Sequence, residues 1–218
     1  AKAGKSIISD TLVFRYQKQT DLNDFVNKVN ITAFLKGTVL HPADLALFAH
    51  GIEVLKEPLY LGGKIVGRLK RFSYQNMRVV MGQTVLAGSL MMDGLPAINE
   101  TFINLSLQEG QIQIRDLQAL FPTSIYEQLK PLGKFTVAGN FIGFINDFVA
   151  DGNVDTPLGK IESDINLKVD ETAAVKTTYR GNLEMINFDL GTYLKDTVNF
   201  QSVSLRGDIT GRGLTKAN

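Results

Sequence analysis

The chain has 218 residues, a formal net charge of +1, and neither cysteine nor tryptophan. The lack of cysteine excludes a disulfide framework and a thiolate zinc site, and the near-neutral charge disfavours a nucleic-acid-binding protein, which normally presents a basic face. No apolar run reaches the ~20 residues of a membrane helix, and the start lacks the apolar core of a signal peptide, so we expect a soluble chain or an internal piece of a longer protein.

The first part of the chain alternates strand patterns with one short helical segment. A helix is expected to begin at Pro42, a residue suited to the first helical turn, and to end before Gly51. The early Asp44 also suits the positive end of the helix dipole. Strand patterns lie on both sides of this helix, at 11–16, 29–40, 59–71, 77–82 and 84–92.

The middle of the chain predicts a hairpin and two helical turns. The hairpin is placed around Glu109-Gly110, because apolar residues alternate on both sides of it. These residues are Ile103, Leu105 and Leu107 on one side, and Ile112 and Ile114 on the other. A short helix from Asp116 is expected to end at Pro122, followed by a second turn over 125–129.

The last third contains the clearest strand, at 160–169. Ile161, Ile165, Leu167 and Val169 alternate there with polar residues, which predicts one buried and one solvated face. Other strands are predicted at 133–145, 147–155, 174–188 and 202–210, with a weak helix over 189–194. One-faced strands on turn-rich links favour an antiparallel sheet.

Two motifs recur in the same order along the chain. The Asp-Leu pairs at residues 44, 116 and 189 are 72 and 73 residues apart. Each is followed by a Gly-x-x-x-Gly pair, namely Gly63/Gly67, Gly139/Gly143 and Gly207/Gly211. A fixed period predicts stacked units that bury apolar faces against one another. We therefore predict one elongated, repeat-built β segment over 1–218, with approximate repeats at 41–112 and 113–186 and a partial repeat at 187–218.

Candidate catalytic and metal-binding residues are few. His41 and His50 are nine residues apart, without the helical spacing or the cysteine and carboxylate partners of a zinc site. No nucleophile or phosphate-binding motif is present. Asp147, Asp151 and Asp155 lie in alternating runs, where solvated strand faces explain them. We expect no catalytic residue, metal or cofactor; a hydrolase becomes plausible only if a cleft gathers Asp147, Asp151 and His41.

The apolar faces of successive strands are predicted to form a long trough. Periodicity leaves open whether a second sheet closes this trough as a sandwich or whether it remains a groove that binds a ligand such as an acyl chain. The candidate groove-lining residues are Ile161, Ile165, Leu167, Val169, Leu183, Met185, Val203, Leu205, Ile209, Phe135, Val137 and Phe141.

Several segments resemble TamB-like proteins of the Bacteroidota type, in the AsmA/TamB family. The similar segments are 25–31, 42–49, 141–150, 179–191 and 203–213, and the resemblance extends over nearly the whole chain after about residue 8. Each segment is a simple pattern of apolar residues, glycine and Asp-Leu, so their order and spacing carry the resemblance.

The resemblance implies a curved antiparallel sheet of the β-taco type, with an apolar groove and no catalytic residues. It implies a periplasmic protein anchored in the inner membrane, extending towards an outer-membrane partner of the Omp85 class, and moving phospholipid between the two membranes for outer-membrane biogenesis. This chain would be an internal segment, without the anchor or the partner-docking domain.

A second hypothesis is a structural or chaperone-like β-scaffold that assists outer-membrane protein assembly by strand-edge pairing. The conduit predicts bound phospholipid, whereas the scaffold predicts binding through backbone contacts at an open edge. An isolated segment with open edges is also expected to be able to form an edge-paired dimer with a second copy.

Overall fold

The computed structural model describes residues 2–45, 54–121, 123–169 and 176–213. Its strands are β1 (Lys2–Ala3), β2 (Ser6–Ile7), β3 (Leu12–Arg15), β4 (Asn30–Leu40), β5 (Leu59–Arg68), β6 (Arg71–Met81), β7 (Thr84–Asp93), β8 (Phe102–Gln113), β9 (Lys134–Phe144), β10 (Asp147–Thr156), β11 (Gly159–Lys168), β12 (Thr178–Asp189) and β13 (Ser202–Arg212). They form one curved antiparallel sheet that is not closed into a barrel. The predicted mainly β, antiparallel architecture is confirmed.

Strand order in the sheet follows chain order from β1 to β13, except that β3 leaves this path and pairs with β4 beside β2. All strands of the described residues belong to this single sheet, so no second sheet covers either face there. Of the two architectures that the sequence left open, the sandwich is therefore excluded for the described part of the chain.

The helices are short and lie in the connections. They are α1 (Phe25–Lys28), α2 (Pro42–Leu45), α3 (Thr123–Leu129) and α4 (Leu190–Leu194), with 3-10 turns at Gln19–Asp24, Ile98–Glu100, Ile114–Leu120 and Lys130–Leu132. The helix predicted from Pro42 does begin there, while 46–50 lies outside the described residues, as do 174 and 175 of the strand predicted at 174–188. The helix predicted from Asp116 is a 3-10 turn that begins at Ile114.

The hairpin predicted around Glu109-Gly110 is wrong. Residues Phe102–Gln113 form one strand, β8, which pairs with β7 on one side and β9 on the other. A register shift between Leu107 and Gly110 moves the inward-facing side chains from odd to even positions. A β-bulge of this kind bends a strand without ending it, and the interrupted alternation imitates a turn.

A hydrophobic core lies on one face of the first strands. It contains Ala33, Leu35, Tyr74 and Met77, which are 4–6% exposed. The Tyr74 hydroxyl donates a 2.8 Å hydrogen bond to the Gly62 carbonyl. Burial raises the pKa of Tyr74 to about 12, so the neutral phenol is the form that this core accommodates.

The Asp-Leu pairs at residues 44, 116 and 189 fall on one edge of the sheet. They follow β4 and β8 and end β12, and these strands are four apart in an up-and-down sheet. Connections separated by four antiparallel strands emerge on the same side. The helical connections of the three motifs therefore lie along one rim of the sheet.

Two of these aspartates hold an adjacent tight turn in the same way. One carboxylate oxygen of Asp44 accepts hydrogen bonds from the Lys5 amide, the Ser6 amide and the Ser6 hydroxyl, at 3.0, 2.9 and 2.7 Å. Asp116 accepts the same set from Gln83 and Thr84, at 2.7, 2.9 and 3.1 Å. The hydrogen bond from the Ser6 hydroxyl is the main cause that lowers the pKa of Asp44.

Asp189, the aspartate of the third pair, forms different hydrogen bonds from Asp44 and Asp116. Asp189 accepts from the amide and hydroxyl of Thr192, at 2.9 and 2.7 Å, and so caps its own helix α4. The turn nearest to it has the sequence Pro157-Leu158-Gly159, which lacks the Ser or Thr present in the other two turns. The recurring Asp-Leu pair thus marks a recurring place in the fold, with two different hydrogen-bonding roles.

Replacing Asp116 with asparagine is expected to loosen the β6–β7 turn, because a neutral amide accepts weaker hydrogen bonds than a carboxylate. Amide hydrogen exchange at Gln83 and Thr84 should become roughly tenfold faster. Asp189→Asn is the matched control and should leave exchange at these two amides unchanged. Unchanged exchange in Asp116→Asn would refute the role assigned to this carboxylate.

The same contact predicts a pH dependence at the β1–β2 turn. Because the pKa of Asp44 is lowered in the fold, its stabilisation is present above the ordinary carboxyl pKa and is lost as the pH falls through the lowered value. Exchange protection at Lys5 and Ser6 should follow that loss.

Candidate functional site

The apolar face of the sheet is the candidate site. Directly paired residues on neighbouring antiparallel strands point to the same face, so the register defines rows of side chains that cross the sheet. One row runs through Leu61, Val79, Leu86, Gly110, Val137, Val154, Ile161, Met185 and Leu205, from β5 to β13.

Two further rows run parallel to the first. One contains Leu12, Ala33, Ile65, Tyr74, Leu90, Leu105, Phe141, Ala150, Ile165, Gly181 and Ile209. The other contains Phe14, Ile31, Gly67, Phe72, Met92, Ile103, Gly143, Phe148, Leu167, Tyr179 and Gly211. None of the three rows includes a charged residue. We call the side of the sheet that carries these three rows the apolar face.

In β11, the apolar face is shielded more than the opposite, outer face. In β11, the inward residues from Gly159 to Leu167 are half-buried and the alternate residues are exposed, without exception. No second sheet lies over the described strands, so another layer of strands does not cover the apolar face there.

The outer face of the C-terminal half is mostly polar and carries ion pairs. Lys168 donates to Asp147 at 2.9 Å, a contact that raises the pKa of this lysine. Arg206 lies 3.6 Å from Glu184, and Lys160 lies 3.5 Å from Asp155. Exposed pairs such as these contribute little to stability. They keep this face solvated, and the sheet is therefore amphipathic.

The sequence-predicted groove residues lie together. All twelve are on the same face as the three rows, because each is in register with an inward-facing neighbour or continues the same alternation. Eleven are half-buried, and Leu205 on the last strand is 45% exposed. Val169 directly follows β11, and its amide donates to the Asn146 carbonyl at 2.7 Å.

Sequence reasoning missed the half of the apolar face that β4 to β8 contribute. Bulges shift the alternation in these strands, at Lys36/Thr38 and Tyr74/Met77 among other places. In β6, for example, the inward residues are Phe72 and Tyr74 before the bulge, and Met77, Val79 and Met81 after it. These residues could have been found from the sequence. In each such strand, apolar and polar residues alternate without interruption on each side of the bulge, as two short runs.

The Gly-x-x-x-Gly pairs all lie on the apolar face. Gly67, Gly143 and Gly211 occupy one row, and Gly139 and Gly207 pair with Leu107 and Leu183 in the next. A Cβ on Gly67 or Gly143 would lie 2.8 or 2.7 Å from the Cα of the next strand's Phe72 or Phe148. These two glycines therefore allow the backbone of the neighbouring strand to approach where a side chain would clash with it.

Among the described residues, no group of three or more His, Cys, Asp or Glu side chains could hold a metal ion. His50 lies outside the described part of the chain. The sequence raised Asp147 and Asp151 as possible hydrolase carboxylates, and both lie on the outer face. Asp147 accepts a hydrogen bond from Lys168, and Asp151 accepts one from the side-chain amide of Asn140 at 3.0 Å.

In the described part of the chain, every helix is too short or too polar to span a bilayer. Comparison of the chain with protein-family models, curated proteins and solved structures finds no match.

Proposed function

We propose that this chain is a segment of a periplasmic β-groove protein that conducts phospholipid between the inner and outer membranes. The observation that carries the proposal is the apolar face: three uncharged rows of side chains that cross most of the sheet on its shielded side. The resemblance of its sequence segments to TamB-like proteins supports the same function.

The dimensions of the apolar face suit an acyl chain. Neighbouring strands lie about 4.8 Å apart, so the strands from β4 to β13 extend roughly 43 Å across the sheet. A lipid chain spans about half of the ~30 Å hydrocarbon core of a bilayer. The rows are thus longer than one chain, and a lipid could shift along them while exchanging equivalent apolar contacts.

The energetics favour transfer without a specific binding site. Each buried methylene contributes about 0.8 kcal/mol, so partial burial along a groove stabilises the chain at any position. A lipid headgroup would remain in solvent at the open side. The groove-lining residues then act through non-specific apolar contact, and the family's inner-membrane anchor and Omp85-class partner would engage other parts of such a protein.

A strand-pairing scaffold is the second candidate, and the length of β13 is the observation that favours it. This strand is eleven residues long and pairs only with β12 among the described strands. An edge of this length can accept a further strand through backbone hydrogen bonds, such as a strand of an unassembled outer-membrane protein.

Native mass spectrometry and lipid extraction of the purified chain test the first proposal. Chain expressed in a diderm bacterium is expected to retain phospholipid, and the lipid-free chain should extract fluorescent phosphatidylethanolamine from vesicles. A lipid-free protein that extracts none, yet binds synthetic porin strands, would overturn the conduit and support the scaffold.

A further inference from the structure

Positive charge is concentrated at one end of the sheet, around the turn between β5 and β6. Two adjoining cavities there, of about 620 and 460 Å³, share Asn30 and Arg68 in their linings. The cationic residues that line them are Arg15, Lys18, Lys28, Arg68, Lys70 and Arg71. The carboxylates that line them are Asp21 and Asp93. Since the whole chain has a net charge of only +1, this excess of cations is local.

Two of these arginines face each other on the outer face. Arg68 ends β5 and Arg71 begins β6, and the register pairs them directly across the two-residue turn. Their chain neighbours Gly67 and Phe72 belong to a row of the apolar face, so both arginines point to the opposite side. The Cβ atoms of such a pair lie about 5 Å apart, and like charges placed there are destabilising. An anion bound between the two arginines would remove this repulsion.

Both guanidinium groups are positioned through Nε, which leaves their terminal nitrogens for a ligand. The Arg68 Nε donates a 3.3 Å hydrogen bond to the Asn30 Oδ1. The Arg71 Nε lies 3.4 Å from a carboxylate oxygen of Asp93. Within the described part of the chain, the Nη atoms of these two arginines form no hydrogen bond. Each arginine can therefore donate to an anion from a side chain that is already oriented.

The backbone of the turn that carries these arginines is fixed from two sides. The Lys70 amide donates to the Val26 carbonyl of α1 at 3.1 Å, and the Lys70 carbonyl accepts from the Gly94 amide at 2.8 Å. The ion pairs of the described residues do not involve Lys70 or Arg15. Because the turn is already ordered, an anion that binds there loses less free energy to ordering the chain.

The arrangement suits a phosphate group better than a carboxylate. A carboxylate has one charge and two oxygens, which a single arginine can satisfy. A phosphate monoester carries a charge of about −1.5 to −2 and three acceptor oxygens, so it can accept from both arginines at once. The larger cavity also has Val66, Ser73 and Met91 in its lining. Its volume lies within the range of small-molecule sites, which leaves room for the group that carries the phosphate.

We propose that Arg68 and Arg71, together with Lys70 between them, form a binding site for a phosphate group on the outer face of the sheet. The phosphate group can belong to a small soluble compound or to a lipid headgroup, and the experiment below separates these two sources. The site lies on the opposite side of the sheet from the apolar face. This inference therefore does not depend on lipid transport.

Calorimetric titration with inorganic phosphate at constant ionic strength tests the site. The unmodified chain is expected to bind phosphate, and Arg68→Gln/Arg71→Gln should weaken binding by about tenfold or more, because two charged donors are lost. Arg78→Gln/Arg180→Gln is the matched control, since it removes the same charge from the outer face outside these cavities, and it should bind normally. Arg68→Lys/Arg71→Lys should also bind more weakly, because lysine lacks the planar fork of arginine.

Thermal unfolding provides a second measurement that detects misfolded variants. Phosphate should raise the Tm of the unmodified chain relative to chloride at equal ionic strength, because it binds the folded state. The Tm of Arg68→Gln/Arg71→Gln in chloride should not fall, since a like-charge pair is removed, and phosphate should no longer raise it.

Vesicles of phosphatidylcholine with and without phosphatidylglycerol identify the source of the phosphate group. Retention that requires phosphatidylglycerol and is lost in Arg68→Gln/Arg71→Gln indicates a lipid headgroup. Binding of inorganic phosphate without such retention indicates a soluble compound. The proposal is overturned if the unmodified chain binds neither probe, if acetate competes as well as phosphate, or if the lysine or glutamine double variant binds as tightly as the unmodified chain.

Discussion

Replacing both Val137 and Val154 with aspartate is expected to abolish phospholipid binding while the sheet still folds. These residues are direct cross-strand neighbours on β9 and β10, and both are half-buried on the apolar face. A carboxylate against an acyl chain loses hydration without gaining a partner. Phospholipid extraction from vesicles should fall by roughly tenfold or more, and the free energy of unfolding should fall by about 1–3 kcal/mol.

The same two strands provide the control. Ile142 and Val149 are also direct cross-strand neighbours, but on the outer face, where they are 46% and 43% exposed. Ile142→Asp/Val149→Asp adds the same two charges to the same strands and should leave lipid extraction unchanged. Equal losses in the two double variants would mean that charge or folding, rather than the apolar face, controls binding.

The second large effect is expected at Gly143. Its φ is 137°, a region that residues with a side chain rarely adopt, and a Cβ there would lie 2.7 Å from the Phe148 Cα. Gly143→Ala should therefore lower the free energy of unfolding by about 2–4 kcal/mol, measured by denaturant unfolding. The backbone of β10 cannot move away without breaking its ladder with β9.

Gly207→Ala is the matched control for this prediction. Gly207 belongs to the third glycine pair of the sequence, yet its added Cβ would meet nothing within 4 Å. We expect the free energy of unfolding of the Gly207→Ala variant to differ little from that of the unmodified chain. Similar losses at Gly143 and Gly207 would show that conformational freedom, rather than the close approach of Phe148, explains these glycines.

Local patterns were enough to predict the regular strands. The strands at β9, β10, β11 and β13 were predicted to within two residues at each end, because alternation there is uninterrupted. The shared face of the twelve candidate residues follows from the same alternation, since a period of two assigns each side chain to a face. In β8 the same reasoning failed, because the bulge at Leu107/Gly110 reverses the alternation within one strand.

The hydrogen-bonding roles of the repeated Asp-Leu pairs could not be predicted from the sequence alone. Their spacing predicted a repeated place in the fold, and Asp44 and Asp116 occupy equivalent places beside tight turns. Which groups each carboxylate would bind was not readable, because the partners at Ser6 and Thr84 are 38 and 32 residues away. Such contacts depend on how strands return along the sheet.

The sequence by itself determined the mainly β class, the antiparallel pairing and the apolar side of the C-terminal strands, because these depend on alternation within single strands. Only the tertiary structure decided that the described strands form one continuous sheet and that bulges join the N-terminal rows to the C-terminal ones. These features depend on pairing between distant segments, and an amphipathic strand has the same pattern whether its apolar side meets a second sheet or an open groove.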